Sequence, residues 1–242
     1  AMFYFSNQAY PLLIITVVFG ELLTTVIVGE RNDGYRLANF LWSLALAITQ
    51  EASSLSCAVC GAIMDYRAEK KRFLLFSYMA TVATTAMLYF VEPGYVVLGL
   101  LLIVLSNYAY SMGESFIAAF LPELGPPGAL GKISGFGWAL GYIGGLLAAG
   151  FTLIVLGEAT ADNFERIRWV GPFAAGFFLV AAIPTFLWLK ERGVPKPHGV
   201  SYRQIAQQRI LGTFHELRYF KDLSVFLVSL LFSMAGVYII IA

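Results

Sequence analysis

Seven long apolar stretches constrain the fold of this chain more than any other feature of its sequence. They cover residues 3–28, 39–64, 73–91, 95–121, 133–156, 170–189 and 223–242. Each is about as long as the roughly 20 residues that a helix needs to cross a hydrocarbon core. Runs such as 98–105 are continuously apolar, whereas the strands of a membrane barrel alternate. The sequence therefore predicts an all-α, polytopic membrane protein with the lipid bilayer as its surroundings.

Composition supports this class and excludes others. Of the 242 residues, 59% are hydrophobic and only 13% are charged, whereas a soluble domain carries about 25% charged residues. The net charge of +1 lacks the clustered basic excess of a nucleic-acid-binding surface. Two cysteines cannot form a disulfide framework. We expect no nucleic-acid partner.

The basic residues predict the orientation in the membrane. Loops after the second, fourth and sixth stretches hold most of the Lys and Arg residues, including Arg67, Lys70, Lys71, Arg72 and Lys132. The other loops hold only four, which are Arg31, Arg36, Arg166 and Arg168. Cytoplasmic loops are enriched in Lys and Arg, so the N-terminus is predicted to be cytoplasmic. The expected location is a bacterial inner (plasma) membrane.

The order of the stretches predicts three parts. Residues 1–189 form a six-helix transmembrane bundle, 190–222 a cytoplasmic linker, and 223–242 a seventh span. In the linker, apolar residues recur at near-helical spacing from Ser201 onward, with Arg203, Arg209 and Arg218 between them. This pattern predicts an amphipathic helix on the membrane surface or packed beneath the bundle. A six-helix block followed by a new span suggests one of two halves, with the second half or a partner membrane chain missing.

A glycine, an acid and a basic cluster lie between the second and third stretches. The string GAIMDYRAEKKR (61–72) includes Gly61, Asp65, Arg67, Lys70 and Lys71. It resembles the loop motif of the major facilitator superfamily, which implies a role in gating. Tyr66, Ala68 and Glu69 depart from that motif. A glycine here permits close helix approach, and a carboxylate at a helix C-terminus needs a basic partner.

Three further strings resemble the vacuole-effluxer family of that superfamily, which includes autophagy-related amino-acid permeases and their bacterial relatives. They are FYFSNQAYP (3–11), FLPEL (120–124) and KISGFGWALGYIGGLL (132–147). The resemblance implies a major-facilitator-type six-helix bundle and transport of an amino-acid-like solute. Family members often carry an acid at the position of Tyr4, so no role of that acid can be transferred.

Gly137, Gly141 and Gly145 recur every four residues in the fifth stretch. Such spacing forms one helical stripe of small residues on which another helix can pack closely. Two interpretations remain open, static helix packing and a sliding surface between the two halves of a transporter.

Carboxyl groups within the stretches are the candidate coupling sites. Glu21, Glu51 and Glu114 each face a cost of about 2.5–3.5 kcal/mol at membrane depth. No Lys, Arg or His lies deep in any stretch, and a carboxyl that can be neutral or charged near pH 7 is what proton coupling requires. Glu51 is the first candidate because it lies near the middle of its stretch.

Polar neighbours mark two possible solute contacts. Asn107, Tyr110 and Glu114 share one face of the fourth stretch, as a cavity wall would. Asn7 and Tyr10 precede Pro11, which removes a backbone donor and frees the carbonyl of Asn7. The alternatives are that each acid has only a structural role, and that neighbouring helices bind the backbone groups that Pro11 leaves free.

No arrangement of residues predicts an enzyme, a cofactor or a metal site. Cys57 and Cys60 lie in an apolar stretch without a second pair, and both histidines lie in the linker. The preferred interpretation is secondary active transport of a small solute by alternating access, for which proton coupling is one mechanism. The alternative is a non-transporting scaffold or accessory subunit of a larger membrane complex.

Overall fold

Six helical spans make up most of the part of the chain that the computed structural model describes, residues 2–29, 34–191, 212 and 219–241. Each is long and apolar enough to cross a membrane, and no strand occurs among these residues. Spans 1 to 6 are Met2–Val28, Arg36–Met64, Lys70–Phe90, Val96–Glu123, Pro127–Leu156 and Ala161–Trp188. The predicted all-α membrane class is confirmed. The predicted amphipathic linker helix and the Asp65 side chain lie outside the described residues.

The spans consist of long α-helices with short irregular ends. The α-helices of spans 2 to 6 are α1 (Arg36–Arg67), α2 (Lys70–Met87), α3 (Val96–Ala118), α4 (Leu130–Phe151) and α5 (Val170–Trp188). A further helix covers Lys221–Ile241, which includes residues 223–241 of the seventh apolar stretch.

Span 1 is the least regular of the six. It begins as an α-helix at Met2–Asn7 and becomes a π-helix at Pro11–Val17. An α-helical turn at Phe19–Leu22 follows, and a second π-helix covers Leu23–Val28. Pro11 starts this change because it has no backbone N–H to donate. The carbonyl one turn earlier therefore loses its regular helical hydrogen bond. π-Helical turns are rare in proteins and frequently occur at functional sites.

The most extensive contacts between the spans form a series with spans 2 and 5 at its ends, and span 2 also packs on the second π-helix of span 1. Span 2 packs on span 4, span 4 on span 3, span 3 on span 6, span 6 on span 1, and span 1 on span 5. Large apolar side chains remain exposed on both end spans, among them Phe40, Leu55, Phe136 and Leu146. Spans 1 and 4 meet in the middle of the bundle through their side chains.

Glycines allow span 5 to approach span 1 at backbone distance. A Cβ atom at Gly144 would overlap the carbonyl oxygen of Phe5, and one at Gly141 would lie 3.1 Å from the carbonyl oxygen of Tyr4. A Cβ atom at Gly145 would lie 3.5 Å from Gln8, which is an ordinary van der Waals distance. Gly137 is buried on the same helix. The glycine stripe thus faces span 1 of the same bundle, and Gly144 has the tightest contact.

An arginine joins two loops at the other end of the bundle from the basic loop. The side chain of Arg168 is only 10% exposed and lies 3.5 Å from the Glu92 carboxylate. Its Nη2 donates to the backbone carbonyl of Tyr89 at 2.8 Å, and its guanidinium lies 4.4 Å from the centre of the Tyr89 ring. These contacts fix the end of span 3 to the start of span 6.

We predict that Gly144→Ala lowers the stability of the bundle by about 1–3 kcal/mol, because the added methyl must displace the backbone of span 1. The measurement is thermal unfolding of the purified protein in detergent. The matched control is Gly150→Ala on the same helix, where a Cβ meets no atom within 4 Å. Equal melting temperatures for both variants would contradict this packing.

We also predict that Ala68→Gly raises stability by about 1 kcal/mol. Ala68 ends helix α1 in the left-handed conformation, with φ of 54°, which costs an L-residue about 1–2 kcal/mol and glycine almost nothing. The control is Ala58→Gly in the exposed middle of that helix, expected to lose about 0.5–1 kcal/mol. A lower melting temperature for Ala68→Gly would contradict the assigned conformation.

Candidate functional site

A cluster of polar side chains joins spans 1 and 4 within the membrane-spanning region. The Asn7 amide Nδ2 donates to the Glu114 carboxylate and also to the Tyr110 hydroxyl at 3.1 Å. Glu114 and Tyr110 are four residues apart on α3, so both face span 1. Asn7 itself is 1% exposed. One amide thus bridges two side chains of the facing span.

A second layer of the cluster lies one turn further along each span. The hydroxyls of Tyr10 and Ser106 form a hydrogen bond of 2.7 Å, and both residues are buried. The rings of Tyr10 and Tyr110 stack with centroids 4.6 Å apart and planes at 22°. Ser106 and Tyr110 are again four residues apart. The polar cluster is therefore defined as Asn7, Tyr10, Ser106, Tyr110 and Glu114.

The structure brings together four of the residues singled out in the sequence: Asn7, Tyr10, Tyr110 and Glu114. Ser106 was missed, although its position one turn before Tyr110 is the signal that could have found it. Asn107 is 8% exposed on the same helix, and within the described chain no hydrogen bond joins it to the cluster.

The other two candidate acids lie apart from the cluster. Glu51 and Glu21 are both exposed, on spans 2 and 1 respectively. Thr24 and Thr25 donate to the backbone carbonyl of Glu21 rather than to its carboxylate. Glu114 is thus the candidate acid that is hydrogen-bonded across two spans.

A pair of aromatic side chains lies beside the cluster. Tyr4 precedes Asn7 by three residues, so the two share a face of span 1. The Tyr4 ring stacks on Trp138 of span 5, with centroids 5.6 Å apart and planes at 28°. Trp138 is 41% exposed, and the exposed Tyr142 ring follows at 6.3 Å. The close packing at Gly141 brings Tyr4 and Trp138 together.

The loop between spans 2 and 3 binds the ends of two other spans. The Lys70 ammonium donates to the Glu123 carboxylate at 2.8 Å and to the Ala119 carbonyl at 3.1 Å. Lys71 donates to the Leu189 carbonyl at 3.0 Å. The Glu191 carboxylate accepts from the backbone N–H of Lys70, at the start of α2. Lysines and backbone of this loop therefore hold spans 3, 4 and 6 together at one membrane side.

Two further residues of the string at 61–72, Glu69 and Gly61, have different surroundings. Glu69, which departs from the superfamily motif, forms ion pairs with Arg67 at 3.4 Å and Arg72 at 2.9 Å. Gly61 has open space around it, since a Cβ there would meet no atom within 4 Å. Within the described residues, no other helix packs closely on Gly61.

Comparison with known families decides the classification. The family model described as "Vacuole effluxer Atg22 like" matches residues 44–129 and 128–241. The chain belongs to the vacuole-effluxer family. It is a polytopic member of the major facilitator superfamily, as the strings in its sequence predicted.

One curated relative of this family member is an uncharacterized transporter of the major facilitator type, YxiO, from Bacillus subtilis (strain 168). The two are 28% identical over 96% of the present chain. The alignment covers 55% of the relative, so the chain spans about half the length of the curated relative that it matches. No solved structure matches the chain.

Metal chemistry has no candidate in the described part of this vacuole-effluxer family member. No three His, Cys, Asp or Glu side chains converge there as a metal site. Cys57 and Cys60 are half-buried free thiols on span 2. The chemistry that the polar cluster itself offers is proton binding at one carboxyl and hydrogen bonding through one amide, two phenols and one serine hydroxyl.

We predict an interaction energy of about 1 kcal/mol between Asn7 and Glu114 in a double-mutant cycle of Asn7→Leu and Glu114→Gln. Asn7→Leu removes the hydrogen bond, and Glu114→Gln replaces its charged acceptor with a weaker neutral one. The double variant should therefore lose less stability than the sum of the two single variants. Unfolding in detergent measures the change in the free energy of unfolding for each single variant and for the double variant. Asn107→Leu with Glu114→Gln is the control pair and should be additive.

Proposed function

We propose that the protein is a secondary transporter that moves a small solute by alternating access and couples this movement to protonation of Glu114. The observation that carries the proposal is the hydrogen bond from Asn7 to the Glu114 carboxylate, which joins spans 1 and 4. Family membership supports the reaction class. A protonatable carboxyl between two spans supplies a group whose charge can change during transport.

The cluster offers a simple coupling mechanism. As a carboxylate, Glu114 accepts hydrogen bonds and holds the amide of Asn7. Once protonated, the same group becomes a donor with weaker acceptor oxygens, and its contact with the amide loses its charge-assisted strength. The free energy of the contact between spans 1 and 4 then changes. Protonation therefore biases the bundle between two packing states, as alternating access requires.

We propose Glu114 rather than Glu51 as the coupling acid. Glu51, the first candidate in the sequence, is exposed on span 2, an end span of the packing series. An exposed carboxyl is less suited to change the packing between spans than one that is hydrogen-bonded to a facing span. Glu114 contacts span 1 directly.

The basic loop is proposed to act as a latch on the cytoplasmic side. Lys70 and Lys71 hold the ends of spans 4 and 6 through Glu123 and the Leu189 carbonyl. Charge-assisted hydrogen bonds of this kind are about twice as strong as neutral ones, and all of them must shift if these span ends separate. The excess of Lys and Arg in this loop supports the cytoplasmic side for the N-terminus.

The solute, location and partners are also proposals. Resemblance to autophagy-related amino-acid permeases supports an amino-acid-like solute. The Bacillus subtilis relative supports a bacterial plasma membrane. Its greater length supports a second half, on the same polypeptide or a partner chain, that covers the exposed faces of spans 2 and 5.

The glycine stripe faces span 1, which supports a packing role over a sliding surface between halves.

The test is solute-driven proton movement in liposomes that contain the intact native polypeptide and a pH-sensitive dye. Amino acids added outside are expected to drive proton flux through the wild type. Glu114→Gln should lower this flux more than about tenfold, because the amide mimics only the protonated acid. Glu51→Gln is the matched control and should keep the flux within about twofold of wild type.

The opposite pattern of variants would move the coupling role to Glu51. Flux that neither variant alters would remove protonation from the mechanism. Absence of flux with every solute, in a polypeptide that folds normally, would favour the scaffold function.

A further inference from the structure

We propose that the ammonium group of the solute binds to Glu114 at the same carboxylate oxygen that takes up the coupling proton, so that solute and proton are exchanged for one another. The inference rests on the proposed transport function. It names the group of an amino-acid-like solute that spans 1 and 4 recognise, and the direction in which the proton moves relative to that solute. The hydrogen bonds of Asn7 and Glu114 carry it.

Both hydrogens of the Asn7 amide are already used within the bundle. Nδ2 donates one to Oε1 of Glu114 and the other to the Tyr110 hydroxyl at 3.1 Å. Within the described chain, Oδ1 of Asn7 and Oε2 of Glu114 have no hydrogen-bond partner. Neither oxygen is among the buried unpartnered atoms of those residues, so each retains accessible surface. The amide and the carboxylate thus offer a solute two acceptor oxygens and no free amide hydrogen.

An ammonium group matches this pair of oxygens. It carries three N–H donors and no acceptor, and its hydrogen bonds to a carboxylate are about twice as strong as those between neutral groups. Because Asn7 and Glu114 share a hydrogen bond, their free oxygens lie close enough for one ammonium group to bridge them. A zwitterionic amino acid meets this requirement through its ammonium end, whichever residues bind its carboxylate.

The hydrogen bond from Asn7 also determines where a proton binds on Glu114. Oε1 accepts from the amide, so a proton taken up by the carboxylate bonds to Oε2. The acid then presents an O–H donor at the oxygen that an ammonium N–H needs as its acceptor. It also loses the negative charge that strengthens the contact with a cation. Proton and ammonium therefore occupy Glu114 in turn and not together.

The other titratable groups around Glu114 are phenols and thiols, which are uncharged near pH 7. They are Tyr110 on the same span, Tyr4 on span 1, and Cys57 and Cys60 of span 2 in the neighbouring apolar cluster. Span 3 contacts this part of span 4 through the Ser77 hydroxyl, which does not titrate. Among these groups, Glu114 is the one whose charge changes when a proton is exchanged for an ammonium group.

Carboxyl labelling of the purified protein tests the binding site. Dicyclohexylcarbodiimide modifies carboxyl groups in apolar surroundings, and mass spectrometry of peptides reports the loss of each unmodified carboxyl separately. We expect a mixture of the common amino acids to slow the labelling of Glu114 by at least about tenfold. Glu51 and Glu21, exposed acids of spans 2 and 1, are internal controls and should react at unchanged rates.

The amino acid that protects Glu114 best is then compared with its 2-hydroxy acid, in which a hydroxyl replaces the ammonium group and the carboxylate is kept. The hydroxy acid should not protect Glu114. Equal protection by the two compounds would overturn the proposal, as would labelling of Glu114 that the amino-acid mixture does not slow. Protection of Glu51 to the same extent as Glu114 would also overturn it.

The sign of the proton flux tests the exchange. In the liposomes described above, with the membrane potential held at zero by K⁺ and valinomycin, amino acids added outside should make the lumen more alkaline, because each solute that enters sends one proton out. Acidification of the lumen would overturn the exchange and leave Glu114-coupled transport in place. Protection of Glu114 without any flux would instead reject the proposed function and keep the ammonium site.

Discussion

The hydrogen bond between Asn7 and the Glu114 carboxylate is the interaction on which the rest of the structure depends. A charged group in a membrane span costs about 2.5–3.5 kcal/mol on insertion scales, and a buried polar group is tolerated when it is hydrogen-bonded. Asn7 offers two amide hydrogens, one for Glu114 and one for Tyr110. Spans 1 and 4 are thereby held in one register, and the tyrosine stack behind the acid extends the same contact.

Close packing on the other side of span 1 completes the arrangement. Gly144 and Gly141 let span 5 touch the backbone of Phe5 and Tyr4, so the Trp138 ring reaches Tyr4. A single irregular helix thus carries the amide that binds the acid and the phenol that joins the aromatic pair. The proline-induced change to π-helical turns begins directly after these residues. Movement of span 1 would alter both contacts at once.

The sequence predicts the existence of the spans well because apolar length is a local property. Spans 1 to 4 lie within about three residues of their expected bounds, whereas spans 5 and 6 begin at Pro127 and Ala161, before their expected starts at 133 and 170. Pro11 predicts a disturbance but not the extent of the π-helix. The contacts that matter most are non-local. Lys70 and Glu123 are 53 residues apart, and Asn7 and Glu114 are 107 residues apart. Glu51 is the first candidate acid in the sequence because it lies near the middle of its stretch. Position along a stretch does not reveal which neighbouring helix that face of the span contacts.

Difference infrared spectroscopy of the Glu114 carboxyl tests the central claim most directly. The protonated and ionised forms absorb at separate frequencies, and hydrogen bonding shifts each band. The account predicts a carboxyl band that titrates, disappears in Glu114→Gln, and shifts in frequency in Asn7→Leu because its partner is lost. A band that stays unchanged in Asn7→Leu, or one that Glu114→Gln leaves in place, would contradict the account.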